Sequence, residues 1–431
     1  MKLYLGLDIG TTSVCAVVTE EGGAQRFCRT LPNSSGFCVQ DPLAIWAICT
    51  NLLEEAFAAC PGISHIGLCG QMHGMLYLDE TGAPVSPLYT WQDTTGNEPQ
   101  PCGETYAQEL SVLTGYPMAS GFGCTTLFAH LRKGAVPPGA AQICTIHDYV
   151  AMRLCGLSRP VMHASDAASF GLFDLLRLQF DERALFIAGL PKKLLPKVTG
   201  DWEVLGAYRG IPVTVAIGDN QASFLGAAED PQRTVLVNVG TGSQCSMATP
   251  YLAPEQIAPG AELRPLRGKS YLYVGSALCG GRAFAAAKDF FAQCAQFLTG
   301  TALTDAEVYA ALDRLLAGEP PQGEPPVFDP RFAGTRQDPS LRASVTGLGT
   351  DNVTPAHLLR GLVQGMASEI HGFYRDSGLR REVMAGAGNG LRKNAALRRA
   401  LEQAFGMPLR IPPWREEAAR GAAKLGRRAE A

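Results

Sequence analysis

Two stretches of this chain repeat each other, and the repeat limits the available folds more than any other feature. Asp8-Ile9-Gly10-Thr11-Thr12-Ser13-Val14-Cys15 can be laid over Asn238-Val239-Gly240-Thr241-Gly242-Ser243-Gln244-Cys245, with Gly, Thr, Ser and Cys coinciding at four of the eight places. Each copy reads as a strand, a Gly-Thr turn and a second strand. Coincidence over a short window is one explanation. The other is a pair of related domains, each offering a phosphate-binding turn to a shared cleft.

The remainder alternates strands with helices. Residues 3–9, 14–19 and 25–31 form strand-like runs, 41–60 carry apolar positions at helical spacing up to Pro61-Gly62, and 63–69 form another strand. Strands follow at 213–217 and 234–239, then a helical pattern over 354–374, a strand at 383–385 and a basic helix over 393–405. This is the alternation of an α/β protein. The Pro-rich stretch 318–326 reads as a surface loop, and the charged, Ala-rich tail from Arg415 as a partly exposed helix. At 431 residues, 46% of them hydrophobic and 18% charged, the chain has material for two cores. A net charge of −3 offers no basic surface to nucleic acid, and no apolar run is long enough for a membrane span or signal peptide. The 13 cysteines show neither C-x-x-C nor zinc spacing and read as reduced thiols of a cytoplasmic protein.

A Gly-Thr-Thr turn presents backbone N–H groups and hydroxyls to an anion. An acid just before it repels phosphate but can hold Mg²⁺, which then bridges to the phosphates. Asp8, with Thr11 and Thr12, fits that logic, although an ordinary hairpin turn has the same pattern. In the second copy Asn238 replaces the acid, so Gly240 and Thr241 would donate to phosphate without a metal. Gly218-Asp219-Asn220-Gln221 places a carboxylate just past a buried strand. Phosphoryl transfer to an alcohol needs an acceptor for the hydroxyl proton, and Asp219 is the candidate base; a helix-capping Asp is the alternative. In Gly70-Gln71-Met72-His73-Gly74 the Gln and His can hydrogen-bond a polyol, or His73 can be structural. In Thr90-Trp91-Gln92-Asp93 the indole can pack on sugar C–H groups while Gln92 and Asp93 hold hydroxyls; Trp91 as plain core is the alternative. Gly386-Ala387-Gly388-Asn389-Gly390 precedes a helix, yet no Walker pattern occurs anywhere in the chain.

Taken in order, these segments resemble the FGGY carbohydrate kinase family. The resemblance implies an α/β protein of two actin-like, ribonuclease-H-like domains, with the active site in the cleft between them. It implies residues 1–217 as the sugar and Mg²⁺/phosphate side and 218–431 as the nucleotide side. Carried over by motif, Asp219 is the base and Asp8 the metal-side acid. Gln71, Met72, His73, Trp91, Asp93, Asp219 and Asn220 face the sugar. Thr11, Thr12, Gly240, Thr241, Gly386, Gly388, Asn389 and Asn394 serve the nucleotide. The implied cofactors are ATP and Mg²⁺, and a homodimer is the default assembly.

Within the family, Gln-Met-His-Gly is shared by xylulokinases and sedoheptulokinases. Thr90-Trp91-Gln92-Asp93, Gly121 to Phe128, Ile146 to Val150, Ala167 to Gly171 and the Gly388-Asn389 pair are more similar to sedoheptulokinases. The implied reaction is phosphorylation of a ketose at its terminal primary hydroxyl, sedoheptulose first, xylulose or another polyol second. A nucleotide-driven protein of the actin/Hsp70 kind, or a sugar sensor, is the non-enzymatic alternative. Three departures stand out. Cys15 occupies a place where the family often has Lys, which bears on charge near the phosphates. Thr94-Thr95 follow the Trp-x-Asp segment where an Arg is common, which bears on the far end of the sugar. The chain is also somewhat short for the family.

Overall fold

The computed structural model describes residues 2–101 and 103–429. The first repeat copy forms β1 (Leu3–Ile9) and β2 (Ser13–Glu20), extended by β3 (Gln25–Pro32). Asp41 caps α1 (Pro42–Ala59), accepting the Leu43 N–H at 2.8 Å, with Pro42 in the first turn where its missing N–H costs nothing. β4 (Ile63–Gly70) returns parallel to β1. Later segments add β5 (Val204–Tyr208), β6 (Ile211–Thr214) and β7 (Ile217–Gly218), giving the order β5-β6-β4-β1-β2-β3, with β7 also paired to β4. Leu5, Leu7, Ile9, Val14, Ala16 and Val18 form one core with Ile45, Leu52 and Leu53 of α1.

The opposite face of this sheet is covered by the C-terminal helix Glu417–Ala429, against which Cys15 and Val17 pack through Ala419. The tail expected to be partly exposed is therefore buried: Ala419, Ala422 and Leu425 have no exposure. Its charged, Ala-rich composition suggested an outside position, but small residues also permit backbone-to-backbone packing. A Cβ on Gly6 would lie 1.8 Å from the Ala419 carbonyl oxygen, and one on Gly421 would lie 1.8 Å from that of Ala222. Neither site tolerates a side chain.

The described residues of Met1–Gly226, Arg264–Tyr271 and Trp414–Ala431 form one compact unit, and Ala227–Leu263 with Leu272–Pro413 form another. The expected halves, 1–217 and 218–431, run along the chain, whereas these units interleave. α2 (Ile146–Leu154), α3 (Ala164–Phe170) and almost all of α4 (Asp219–Ala227) belong to the first unit.

The second repeat copy forms β8 (Thr234–Val239) and β9 (Ser243–Pro250). These lie in a sheet with β10 (Ala261–Arg267), β11 (Ser270–Ala277), β12 (Val383–Ala387) and β13 (Leu409–Arg410), ordered β10-β11-β9-β8-β12-β13. Like β1, β8 has an antiparallel neighbour next in sequence and a parallel neighbour on its other side. The repeat is thus structural, but its register slips. Ile9 pairs with Val14, whereas Val239 pairs with Ser243, so the second turn is one residue shorter. Cys15 lies opposite Asp8, while Cys245 lies opposite Val237. The four coincidences at the level of residues therefore do not all mark equivalent positions. α5 (Gly281–Thr299), α6 (Pro355–Asp376), the short α7 (Asn389–Lys393) and α8 (Ala395–Phe405) complete the second unit's main elements.

Candidate active site

Register brings two acids to one end of the first sheet. β1 and β7 both run parallel to β4, and Ile9 and Gly218 both pair with Gly70. Asp8, the penultimate residue of β1, and Asp219, the first residue of α4, therefore stand at the carboxyl ends of the two strands that pair with β4. Such ends collect ligands in open α/β sheets. Both acids are half-buried. Burial raises Asp8 from 3.8 to about 7, the negative charge of Asp219 adds to the shift, and a hydrogen bond from Cys69 Sγ at 3.5 Å opposes it. Burial also raises Asp219, to about 6, against the opposing pull of His147 and Arg264. Two carboxyls in one poorly hydrated place, each well above its ordinary range, mark a site short of positive charge.

Part of that charge comes from behind. His147 Nε2 lies 3.1 Å from Asp166 Oδ1, both fully buried. Burial alone would push this imidazole down; Asp166, with Asp148 and Asp219, outweighs it and raises the pKa to about 9. The same network holds the turn that carries Asp219: Gly218 N–H donates to Ser165 Oγ at 3.0 Å, and Ser165 Oγ donates to Asp166 Oδ2 at 3.0 Å. His147, Asp148 and Asp166 are also the described His and acidic side chains whose ligand atoms could gather round a metal. The His147–Asp166 pairing and the capping of α2 by Asp148, which accepts the Thr145 hydroxyl at 2.7 Å, already explain them.

The segments expected to face a sugar surround the same strand ends. Met72 packs over Gly218: a Cβ there would lie 2.7 Å from its sulfur. His73 is a non-glycine residue with φ of 73°, a strained conformation that needs outside support. Its N–H donates to Ser169 Oγ at 3.0 Å, Nδ1 meets the Ser169 carbonyl at 2.8 Å, and its ring stacks on Phe122 at 4.6 Å. A carbonyl can only accept, so Nδ1 carries a proton. Trp91 is 47% exposed, which removes the reading of it as core. Asp93 is buried and accepts the hydroxyls of Thr95 at 2.9 Å and Thr126 at 3.4 Å. Asn220 is half-buried beside Asp219, and its backbone N–H hydrogen-bonds to that carboxylate.

Gln71 behaves otherwise. It is buried, and its side chain turns inward: Oε1 accepts Thr11 Oγ1 at 3.0 Å and Nε2 donates to Gln40 Oε1 at 2.9 Å. Thr11 also receives the indole N–H of Trp91 at 3.0 Å. The hydroxyl expected to serve a nucleotide thus links the first turn to Gln71 and Trp91, while Thr12 is exposed.

The second unit holds the other expected nucleotide residues. Gly240 and Thr241 are exposed at the turn between β8 and β9. The N–H groups of Gly280 and Gly281 donate to the carbonyls of Thr241 and Gly240 at 2.9 and 2.8 Å, placing the start of α5 against that turn. Gly388, at φ of 87°, packs so tightly that a Cβ would lie 2.4 Å from the Val239 carbonyl oxygen. Exposed Asn389 follows at the start of α7. Gly386 lies in the buried strand β12, facing Leu409 and Leu391, and Asn394 is buried with its Oδ1 capping α8 through the Leu397 N–H at 2.9 Å. Those two residues shape the fold around Gly388 and Asn389.

Sequence reading missed Gln40, the His147–Asp166 pair, and Gly280 and Gly281. The last had a visible signal in Cys279-Gly280-Gly281-Arg282 just before a helix. The others carried none, since an isolated Gln or His has many structural uses. The described cysteines are all free thiols; Cys102 lies outside the described residues. No helix among the described residues is long and apolar enough to cross a membrane.

Comparison with known proteins agrees with this geometry. Residues 3–236 match the FGGY family of carbohydrate kinases, N-terminal domain, and residues 235–430 match its C-terminal domain. Human sedoheptulokinase is 28% identical over 94% of this chain and 94% of its own length. Glycerol kinase of Aquifex aeolicus is 25% identical over 99% of this chain and 89% of its own. The crystal structure of xylulose kinase from Rhodospirillum rubrum superposes with a TM-score of 0.82 at 22% identity, covering 100% of this chain and 90% of that one. The chain belongs to the FGGY family of carbohydrate kinases, has its two-domain α/β fold, and is an ATP-dependent sugar phosphotransferase. The non-enzymatic alternative is set aside.

Proposed function

We propose that this kinase transfers the γ-phosphoryl group of ATP to the terminal primary hydroxyl of a ketose, D-sedoheptulose foremost, forming sedoheptulose 7-phosphate. The observation that carries the reading is the pairing of Ile9 and Gly218 with Gly70, which brings their neighbours Asp8 and Asp219 to one end of the sheet beside Met72. The likeness to sedoheptulokinase along nearly the whole chain supports the choice of sugar. The sugar would pack on Trp91, with hydroxyls held by His73, Asp93 and Asn220. Asp219 accepts the proton of the attacking hydroxyl; the new P–O bond forms as the bond to the β-phosphate oxygen breaks, releasing ADP. Thr12, Gly240, Thr241, Gly388 and Asn389 would hold the nucleotide. We place the reaction in the cytoplasm, where ATP is available and thiols stay reduced.

The acids fit Mg²⁺. They offer hard carboxylate oxygens, and burial, the main cause of their raised pKa values, leaves them short of the positive charge that a dication would supply. Asp8 would hold the ion. The ion supplies neutralisation of phosphate charge; Asp219 keeps the proton-accepting role.

D-Xylulose is the second reading, because Gln71-Met72-His73-Gly74 is shared by both kinds of kinase and Thr94-Thr95 stand where an Arg is common at the far end of the sugar. ADP release measured with sedoheptulose, xylulose, glycerol and ribitol tests both. The highest kcat/KM is expected with sedoheptulose. Preference for xylulose would install the second reading, and sugar-independent ADP release would overturn both.

A further inference from the structure

Residues 33–40 lie between the 10–12 turn and the Trp91 segment and hydrogen-bond to both. At one end, Asn33 N–H donates to the Thr12 carbonyl at 2.9 Å and its side-chain amide donates to the Gly10 carbonyl at 3.3 Å. At the other, Thr90 N–H donates to the Cys38 carbonyl at 2.9 Å and its hydroxyl donates to the Phe37 carbonyl at 2.6 Å. Gln40 joins the ends. Its Nε2 donates to the carbonyls of Thr11 at 2.8 Å and Gly36 at 2.7 Å; its Oε1 accepts from Gln71 Nε2 at 2.9 Å and Asn33 Nδ2 at 3.3 Å. Both hydrogens and both lone pairs of the amide are used. Gln40 is 1% exposed, so water does not substitute for any of these partners.

The bonds close a directional ring. The Trp91 indole donates to Thr11 Oγ1, that hydroxyl donates its single proton to Gln71 Oε1, Gln71 donates to Gln40, and Gln40 donates back to the Thr11 carbonyl. Each donor keeps its geometry only while the others keep theirs. The half-exposed indole donates into this ring from the side on which the sugar would pack, and the 10–12 backbone is where phosphate would bind.

We propose that Gln40 is the positioning residue through which a sugar at Trp91 and a nucleotide phosphate at residues 10–12 bind cooperatively. The inference rests on the kinase reading above and adds a coupling that the reading does not require. A sugar that fixes the indole orders the ring, so the phosphate meets a turn whose ordering cost is already met.

The test is calorimetric titration of the full chain with a non-hydrolysable ATP analogue and Mg²⁺, with and without saturating D-sedoheptulose, and in parallel with D-xylulose and glycerol. In the wild type the sugar is expected to tighten analogue binding at least about fivefold, the lower end of typical coupling. Gln40→Met, of similar length but without the amide, should reduce that ratio below about twofold. General damage that weakens both titrations alike leaves the ratio intact, so a purely structural role for Gln40 would not move it. If Gln40→Met does not fold, Gln40→Glu serves. It keeps the acceptor towards Gln71 and Asn33, loses both donations, and should show the same collapse. A ratio unchanged in the variants overturns the proposal, as does a wild-type ratio of one with a sugar that binds. If none of the three sugars binds the wild type, the substrate reading itself fails, and the coupling falls with it before any variant is examined.

Discussion

Asp219→Asn should remove nearly all turnover and yet stabilise the protein. In the folded chain this carboxyl ionises near pH 6 instead of 3.8, chiefly because it is poorly hydrated. The gap means that holding Asp219 ionised costs the fold up to about 3 kcal/mol above pH 6, an upper bound because the side chain keeps some contact with water. The sign follows from linkage. A carboxyl whose pKa rises on folding binds its proton more tightly in the native state, so its penalty is absent below pH 3.8, grows as pH rises, and is complete above 6. Asparagine has nearly the same shape, still accepts the Asn220 N–H, and never ionises. The variant should gain up to about 3 kcal/mol at pH 8 and about half as much at pH 5, with kcat reduced by about 10²–10⁴-fold. Urea unfolding at the two pH values, without nucleotide or Mg²⁺, reads the stability; coupled ADP release reads the turnover. A variant no more stable at pH 8 than at pH 5, relative to wild type, would refute the electrostatic account. Retained turnover would refute the role as base.

Two further outcomes follow from the same geometry. With Asp219 as base, kcat/KM for the sugar should fall as pH drops through about 6; replacing His147 and Asp166 together by Gln and Asn keeps a hydrogen-bonded pair without the imidazolium, and should move that limb upward without loss of stability. An unmoved pH–rate profile would show that the pair only packs. Gly6→Ala places a methyl 1.8 Å from the Ala419 carbonyl oxygen and should cost about 3 kcal/mol, the upper end of overpacking, while exposing the C-terminal helix to trypsin; an unchanged urea midpoint and protease pattern would contradict the close docking.

What the sequence determined by itself was local and periodic. Strands at 3–9, 63–69 and 234–239, the helix at 41–60 and both Gly-Thr turns were legible because a few adjacent residues specify them. The order of the motifs was enough to identify the family and to single out Asp8 and Asp219. What only the tertiary structure decided was which distant residues meet. Gln40 and Gln71 are 31 positions apart, Thr11 and Gln71 60 apart, and Thr11 and Trp91 80 apart, so no local pattern announces the ring they form. Gln71 reads from the sequence as a sugar ligand, whereas in the fold its side chain turns inward to Thr11 and Gln40. The one-residue slip of the second turn was hidden because identical letters do not report strand register. The tail looked exposed because composition records how polar a helix is, whereas glycines on both surfaces decide how closely two backbones approach. The turn at Asp8 was written in eight consecutive residues; its environment was assembled from Cys69, His147, Asp219 and the C-terminal segment, brought together only when the sheet forms.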